Sequence, residues 1–144
     1  MSKLTDALSE LMGDVVTMYF QAHGYHWNVV GPDFSQYHAL FETIYSDVYG
    51  SIDLIAENIR KLDEYAPFAL KQFMSLRSFD FGAAQQSPQA MAKALLKSND
   101  SVLVTLKKVF KESTAADEQG ICNFIADRID NHQKWGWQLR SSTR

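Results

Sequence analysis

Two histidines and three carboxylates in the first half of the chain have the types and spacing of metal ligands. His38 and Glu42 are four residues apart, Asp53 and Glu57 are also four apart, and His26 lies upstream of both pairs. Residues four apart share one face of a helix, so each pair can present two ligands to one ion. Imidazole and carboxylate groups together suit iron and similar divalent metals. The pattern therefore predicts a metal site.

The separation between the two pairs predicts that two chains share this site. Asp53 lies 15 residues beyond His38, and a helical segment of that length spans about 22 Å at about 1.5 Å per residue. One ion cannot bridge this distance inside a single subunit. A site that uses both pairs therefore needs a second copy of the chain.

A helical wheel supports this interpretation. At about 100° per residue, the two pairs cluster on a face centred roughly 130° from the apolar stripe of the same helix. Small residues between them would let another helix approach closely, namely Ala39, Ser46, Gly50 and Ala56. Two such helices paired antiparallel across a two-fold axis would bring one pair of each chain to the other pair of its partner.

Each of these residues also has an ordinary interpretation. A pair of acidic residues on a long helix is commonly a solvated face, and a single histidine commonly packs or forms hydrogen bonds. It is the joint placement of the two i, i+4 pairs on one face of the second helix, away from its apolar stripe, that favours a metal site. His23 is interpreted as a structural residue, with support of a metal ligand as the alternative. His132 is predicted to face the core of the last helix.

Composition limits the class of protein. The chain has 144 residues, 46% of them hydrophobic and 22% charged, which predicts one globular domain spanning residues 1–144. A formal charge of −3 gives no electrostatic reason to expect nucleic acid or anionic lipid as a partner. Cys122 is the single cysteine, so we expect no intrachain disulfide and a reducing cytoplasm. The charged amino terminus and the polar residues within 15–32 predict neither a signal peptide nor a membrane span.

Apolar residues at steps of three and four predict a first pair of long helices. The first helix should end at Gly31-Pro32, because proline cannot continue the hydrogen-bond ladder. Asp33 is a suitable N-cap for a second helix, which should stop before Pro67. The turn between them is short enough for His26 to fold back beside His38.

The second half of the chain repeats this arrangement. Residues 66–86 predict a crossover that contains at most a short helix. Ser87 and Pro88 predict the N-cap and first residue of a third long helix, and Asp117 and Glu118 favour the start of a fourth. Two long hairpins joined by a crossover predict an all-α, ferritin-like four-helix bundle, with a short helix between helices two and three.

Residues 20–65 resemble the Dps family of mini-ferritins, the DNA-binding proteins from starved cells. The order and spacing of particular residues carry this resemblance: His26-Trp27-Asn28-Val29-Val30-Gly31-Pro32-Asp33-Phe34, then His38, Phe41-Glu42, Tyr45, Asp53 and Ala56-Glu57. The Glu-x-x-His motif of the larger ferritins occurs nowhere in the sequence. The chain is therefore identified as similar to the smaller branch.

The resemblance implies a hollow shell of twelve subunits that stores ferric mineral and protects against oxidative stress. It also implies a ferroxidase site for two iron ions at each two-fold interface, with no organic cofactor. One subunit would supply His26, His38 and Glu42, and its partner would supply Asp53 and Glu57. His26, His38, Asp53 and Glu57 are the residues expected to support catalysis.

The chemistry implied by the resemblance uses hydrogen peroxide as the oxidant of Fe(II). Peroxide takes two electrons from a pair of ferrous ions, which avoids the one-electron step that releases hydroxyl radical. Trp27 and Tyr49 are candidate electron donors that quench a stray oxidising equivalent, with simple packing at an interface as the alternative. Four acidic residues could line a pore for incoming iron, with solvated surface as the alternative, namely Asp117, Glu118, Asp127 and Asp130.

Two departures from the family pattern affect these expectations. Asn58 follows Glu57 where the family usually has arginine, so an ion pair is missing or is formed instead by Arg60. Only Lys3 precedes the first helix in place of a lysine-rich tail, and the net charge is negative, which argues against DNA binding. A DNA-compacting structural protein with incidental iron binding is the alternative function, and a shell that binds iron too weakly for catalysis is another.

Overall fold

The computed structural model of the protein describes residues 2–82 and 87–144, and these ranges form an all-helical bundle. The helices are α1 (Lys3–Asn28), α2 (Phe34–Lys61), α3 (Leu70–Leu76), α4 (Pro88–Ala115) and α5 (Gln119–Ser142). No strand occurs within the described ranges. The predicted four-helix bundle with a short helix in its crossover is thus confirmed. Residues 83–86, the end of the predicted crossover, lie outside the described residues.

The turn between α1 and α2 occupies only residues 29–33. Gly31 has a φ of +124°, a backbone conformation that glycine adopts without a steric penalty. Val29 is buried beneath the turn, and the N–H of Phe34 donates to the Gly31 carbonyl at 3.1 Å. Asp33 occupies the predicted N-cap position, although its side chain forms no capping hydrogen bond. This short turn holds the end of α1 beside the start of α2.

The second hairpin begins at the predicted residues. The Ser87 hydroxyl accepts a hydrogen bond from the N–H of Ala90 at 3.0 Å, and Pro88 begins α4. Both features satisfy or remove donors that a helix start would otherwise leave unpaired. Glu118 is the N-cap residue of α5, as its acidic character predicted.

One hydrophobic core joins all four long helices. Its largest fully buried apolar side chains come from each of them: Leu8, Leu11, Met18, Phe41, Ile44, Ile55, Ile59, Leu95, Leu106, Ile125 and Leu139. Burying each of these groups contributes about 1.5–3 kcal/mol before conformational entropy is subtracted. Within the described residues, none of the helices combines the length and apolar character needed to cross a membrane.

The crossover is attached to the bundle at Asp14, which is fully buried. Its carboxylate accepts from the Ser78 N–H at 2.6 Å, the Ser78 hydroxyl at 2.7 Å and the Thr105 hydroxyl at 2.6 Å. These bonds join α1, the crossover and α4. Burial raises the pKa of Asp14, and the hydrogen bonds from Thr105 and Ser78 oppose this rise.

A buried polar network joins α2 to α5. The Arg128 guanidinium donates to both carboxylate oxygens of Asp47, at 2.8 and 2.9 Å, and Trp135 Nε1 donates to the same carboxylate at 2.8 Å. Arg128 also donates to His132 Nε2 at 3.2 Å, while His132 Nδ1 lies 2.8 Å from Asn99 Oδ1. The arginine can only donate, so His132 Nε2 is unprotonated. The prediction that His132 faces the core is confirmed, since it is 1% exposed.

Replacing Gly13 with alanine should destabilise the fold. A Cβ at this position would lie 2.8 Å from the Arg77 backbone nitrogen and 2.8 Å from the Phe73 carbonyl oxygen. Backbone atoms cannot rotate away, so we expect a loss of about 1–3 kcal/mol in the free energy of unfolding, measured by denaturant titration. Gly120→Ala is the matched control, because a Cβ there meets nothing within 4 Å. Equal stability of the two variants would contradict the close approach of α3 to α1.

Acidification should weaken the α2–α5 connection. Burial, followed by the nearby Arg128 charge, lowers the pKa of His132 to about 3. Because this is below the ordinary histidine pKa, the unfolded chain binds the extra proton first, and stability should fall as the pH drops from about 6.5 towards 3. Burial would raise the pKa of Asp47, but Arg128 and Trp135 outweigh this effect and lower the pKa. Protonation of Asp47 at low pH should therefore reduce the stability of the fold further.

The effect can be assigned to one residue with His132→Gln, which has no titrating ring. Denaturant titrations at several pH values should show a slope smaller by up to about 1.4 kcal/mol per pH unit in the variant between pH 6.5 and 3. An unchanged slope would show that His132 already binds its proton in the folded protein at these pH values.

Candidate metal centre

His26 and His38 hold each other in place through a reciprocal pair of hydrogen bonds. His26 Nδ1 lies 2.8 Å from the His38 carbonyl oxygen, and His38 Nδ1 lies 2.7 Å from the His26 carbonyl oxygen. The rings are stacked with their centroids 3.7 Å apart. A carbonyl oxygen only accepts, so each Nδ1 carries the proton and donates. In the neutral rings, each Nε2 therefore keeps a free lone pair for a metal ion.

Glu42 adds a carboxylate to this pair of imidazoles. Its Oε1 lies 3.7 Å from His26 Nε2, and one ligand atom from each of His26, His38 and Glu42 lies within 4.8 Å of the others. Across residues 2–82 and 87–144, no other three His, Cys, Asp or Glu side chains meet this criterion. His26 is buried, His38 is half-buried and Glu42 is exposed. The group is thus fixed on its protein side and open on the other.

The ligand chemistry fits ferrous iron. Two imidazole nitrogens and one carboxylate form a set that non-haem Fe(II) sites use, with open positions left for other ligands. The backbone hydrogen bonds at both Nδ1 atoms supply the outer support that orients metal-binding histidines. In this chain, His26, His38 and Glu42 would hold the ion.

Asp53 and Glu57 are not part of this group. Both are exposed on α2, further along the helix from Glu42. Asp53 borders a groove between α2 and the crossover that is lined mainly by apolar residues: Met12, Ile52, Ala56, Ala66, Pro67, Phe68 and Phe73. The sequence placed this pair about 22 Å from the first within one helix. In the structure of one chain, Asp53 and Glu57 accordingly lie apart from the two histidines and Glu42.

The two candidate electron donors lie in an aromatic cluster that sequence analysis did not identify. Trp27 and Tyr49 are 63% and 60% exposed. The Trp27 ring lies 4.2 Å from the His23 ring, and the Tyr49 ring lies 5.1 Å from the Tyr19 ring. His23 also stacks on Tyr45, with centroids 3.8 Å apart and an angle of 11° between the rings. The four-residue step from Tyr19 to His23 was the available sequence signal.

The apolar pattern predicted for α2 is wrong at Phe34. The helical wheel grouped this residue with the core residues, but it is 39% exposed. Its ring stacks on His38, with centroids 4.7 Å apart. Because Phe34 is the first residue of α2, periodicity within the helix poorly determines what its side chain meets.

The four acidic residues proposed for a pore lie at the start of α5 and further along the same helix. Asp117 lies in the turn after α4 with a φ of +56°, and Glu118 occupies the N-cap position of α5 without a capping hydrogen bond from its side chain. Asp127 and Asp130 are exposed on α5. None of the four belongs to a three-residue metal-ligating group within the described chain. A pore formed by several subunits therefore stays a prediction.

Neither Asn58 nor Arg60 replaces the ion pair that the family pattern predicts near Glu57. Asn58 is 5% exposed, and its side-chain nitrogen donates to the Leu54 carbonyl at 2.9 Å. Arg60 donates to the Glu64 carbonyl at 2.7 Å, and its guanidinium lies over the Tyr65 ring at 4.7 Å. Arg60 is thus occupied at the end of α2 rather than at the ligands.

Comparisons with known proteins agree with this architecture. Residues 5–143 match the family model described as a ferritin-like domain. The chain is 25% identical over 139 residues to DNA protection during starvation protein 2 of Bacillus anthracis, covering 96% of this chain and 95% of the relative. It is 22% identical over 139 residues to general stress protein 20U of Bacillus subtilis, covering 96% of each.

Solved structures show the same fold. Dps from Thermosynechococcus elongatus superimposes with a TM-score of 0.93 at 23% identity, covering 98% of this chain and 90% of that one. A Dps protein from Vibrio cholerae O1, described as a member of a superfamily of ferritin-like diiron-carboxylate proteins, has a TM-score of 0.93 at 24% identity. That match covers 99% of this chain and 89% of the other.

Proposed function

Because the chain belongs to the ferritin-like family and its resemblance to the Dps family is confirmed, we propose that it oxidises ferrous iron with hydrogen peroxide and stores the ferric product. The reaction would take place at a site shared by two subunits. Removal of both peroxide and ferrous iron would protect the cell from oxidative damage. We propose that the protein acts in the cytoplasm.

The observation that carries this proposal is the group formed by His26, His38 and Glu42. Both imidazoles are oriented by backbone hydrogen bonds at Nδ1, which leaves the Nε2 lone pairs available to a metal ion. Two neutral nitrogens and one carboxylate bring too little negative charge to balance a pair of ferric ions. Asp53 and Glu57 would add the missing carboxylates, and α2 presents them outward where a partner subunit can meet them.

Exposed apolar residues flank both halves of the proposed site. Trp27, Val30 and Phe34 lie around the turn beside the histidines, while Leu54 and Phe68 lie near Asp53, and their exposed fractions range from 39% to 87%. Exposed apolar surface of this kind is typical of an interface core. A two-fold interface over this surface would cover the apolar side chains and complete two equivalent sites.

The proposed reaction treats ferrous iron as the substrate. Hydrogen peroxide, two Fe(II) and two protons give two Fe(III) and two water molecules, with one electron from each iron. The carboxylates of Glu42, Asp53 and Glu57 would stabilise the added positive charge as the iron is oxidised. The Nδ1–carbonyl bonds would keep the two imidazoles in their binding tautomer throughout.

Storage requires a closed assembly, and we propose the homododecameric shell that the family resemblance implies. Two-fold dimers would be its building units, and ferric product would move to the hollow interior. The alternative of DNA compaction has weaker support here, because a formal charge of −3 per chain repels phosphate groups.

Mixing two inactive variants tests whether the site is shared. His38→Ala removes one half of each site, and Asp53→Ala removes the other. In a mixed two-fold dimer, one site loses both groups while the second site is intact. Random mixing should therefore restore about one quarter of the ferrous oxidation measured for the unmodified protein. The variants are mixed by joint refolding or co-expression, and oxidation is followed spectroscopically.

The control for this experiment is the double variant His38→Ala, Asp53→Ala, mixed with either single variant. No mixed dimer in that case contains an intact site, so no recovery is expected. Recovery only with the correct pair of single variants supports the shared site. Absence of recovery in mixed dimers confirmed by mass spectrometry would reject it.

Stoichiometry tests the paired oxidation. Anaerobic protein loaded with two ferrous ions per site should consume one peroxide for about every two Fe(II) oxidised, because the two electrons come from the two ions. Spectroscopy reports Fe(III), and a peroxide electrode reports consumption. A ratio near one, with trapped hydroxyl radical, would show uncoupled one-electron chemistry and contradict the proposal.

A further inference from the structure

Tyr19 and His23 form a hydrogen-bonded pair that the proposed reaction does not use. The Tyr19 hydroxyl lies 2.8 Å from His23 Nδ1, and both residues are half-buried on α1. Burial raises the pKa of Tyr19, with smaller contributions from Tyr49 and Tyr45, so the phenol keeps its proton at neutral pH. The hydroxyl therefore donates, and His23 Nδ1 is the acceptor.

Ring contacts connect this pair to the candidate metal centre. The His23 ring stacks on Tyr45 at 3.8 Å, and the Tyr45 ring meets the His26 ring edge-on at 5.2 Å. His23 and His26 are themselves 6.0 Å apart between centroids. Every step from Tyr19 to ligand His26 is thus a hydrogen bond or a contact between neighbouring rings.

We propose that Tyr19, paired with His23, donates one electron and one proton when peroxide meets a site that holds a single ferrous ion. This inference rests on the proposed function, since peroxide is the oxidant that function supplies. Such a site provides only one of the two electrons that peroxide needs. The phenol supplies the second, which prevents release of hydroxyl radical.

The step balances in atoms and electrons. One Fe(II), one hydrogen peroxide, the Tyr19 phenol, the His23 imidazole and two protons from solvent give one Fe(III), two water molecules, the Tyr19 phenoxyl radical and the protonated His23 imidazole. The O–H bond of Tyr19 breaks, and its proton moves to His23 Nδ1 as the electron leaves. A later ferrous ion returns an electron to the radical and His23 returns the proton, which gives a second Fe(III) and restores the phenol.

The geometry favours Tyr19 over the more exposed aromatics of the cluster. A phenol bonded to a base can lose its proton and electron together, which avoids the high-energy phenol radical cation. Within the described residues, Tyr19 is the one phenol whose hydroxyl is bonded to an imidazole. Trp27 and Tyr49, at 63% and 60% exposed, would hold a radical in contact with solvent.

Freeze-quench electron paramagnetic resonance tests the proposal. Anaerobic protein is loaded with one ferrous ion per site and mixed with peroxide. The unmodified protein should show a tyrosyl radical, and Tyr19→Phe should lose that signal because only the hydroxyl is removed. Tyr65→Phe is the matched control, since this phenol is 85% exposed on the crossover and its loss should leave the signal in place.

A second variant covers the case in which Tyr19→Phe does not fold, which circular dichroism would reveal. His23→Phe keeps a ring for stacking on Tyr45 but removes the proton acceptor. Its radical signal should fall, and spin-trapped hydroxyl radical should rise at one ferrous ion per site. A tyrosyl signal of unchanged intensity in either folded variant would overturn the proposal.

The two proposals fail in different ways. If the unmodified protein loaded with two ferrous ions per site does not reduce peroxide, the proposed function itself is wrong. If it does so at two Fe(II) per peroxide but forms no tyrosyl radical at one ferrous ion per site, only the role of Tyr19 is wrong.

Discussion

The exchange of hydrogen bonds between His26 and His38 is the interaction on which the candidate centre depends. Each imidazole donates to the backbone carbonyl of the other residue, so the two side chains are fixed by main chain rather than by mobile groups. A neutral hydrogen bond of this kind contributes about 1 kcal/mol, but its larger effect is orientation. Both Nε2 atoms face outward because both Nδ1 atoms are used inward.

This exchange requires the end of α1 to lie beside the start of α2, and the rest of the bundle provides that placement. Gly31 permits the tight turn, and the buried Val29 secures it. Further along α2, Asp47 is bound by Arg128 and Trp135 of α5. With one face of α2 in the core and another joined to α5, the face that carries the ligands is left uncovered.

If the site is shared as proposed, one subunit holds only half of it, and the proposed chemistry depends on assembly. A subunit alone would offer two imidazoles and one carboxylate, which is enough to hold a ferrous ion but leaves carboxylates for a ferric pair to the partner. The proposed role of the Tyr19–His23 pair applies to a site that holds only one ferrous ion. There, the protonated phenol would supply the second electron that peroxide needs.

The sequence by itself determined the helices and their order. Proline, glycine and capping residues act locally, so Gly31-Pro32 predicted the break between the first two helices and Ser87-Pro88 predicted the start of α4, although α1 ends a little earlier than predicted, at Asn28. Helix geometry alone places His38 and Glu42 on one face because they are four residues apart, and the short turn after the first helix predicted that His26 folds back beside His38. The placement of Asp53 and Glu57 against a partner subunit stays a prediction.

Tertiary structure alone decided contacts that periodicity does not encode. It placed Phe34 on the His38 ring instead of in the core, and it held the crossover against Gly13 and Asp14. It also chose Nδ1 as the donor in both site histidines and stacked His23 on Tyr45. Helix periodicity specifies which residues share a face, whereas ring orientation and tautomer depend on the atoms that another segment brings within hydrogen-bonding distance.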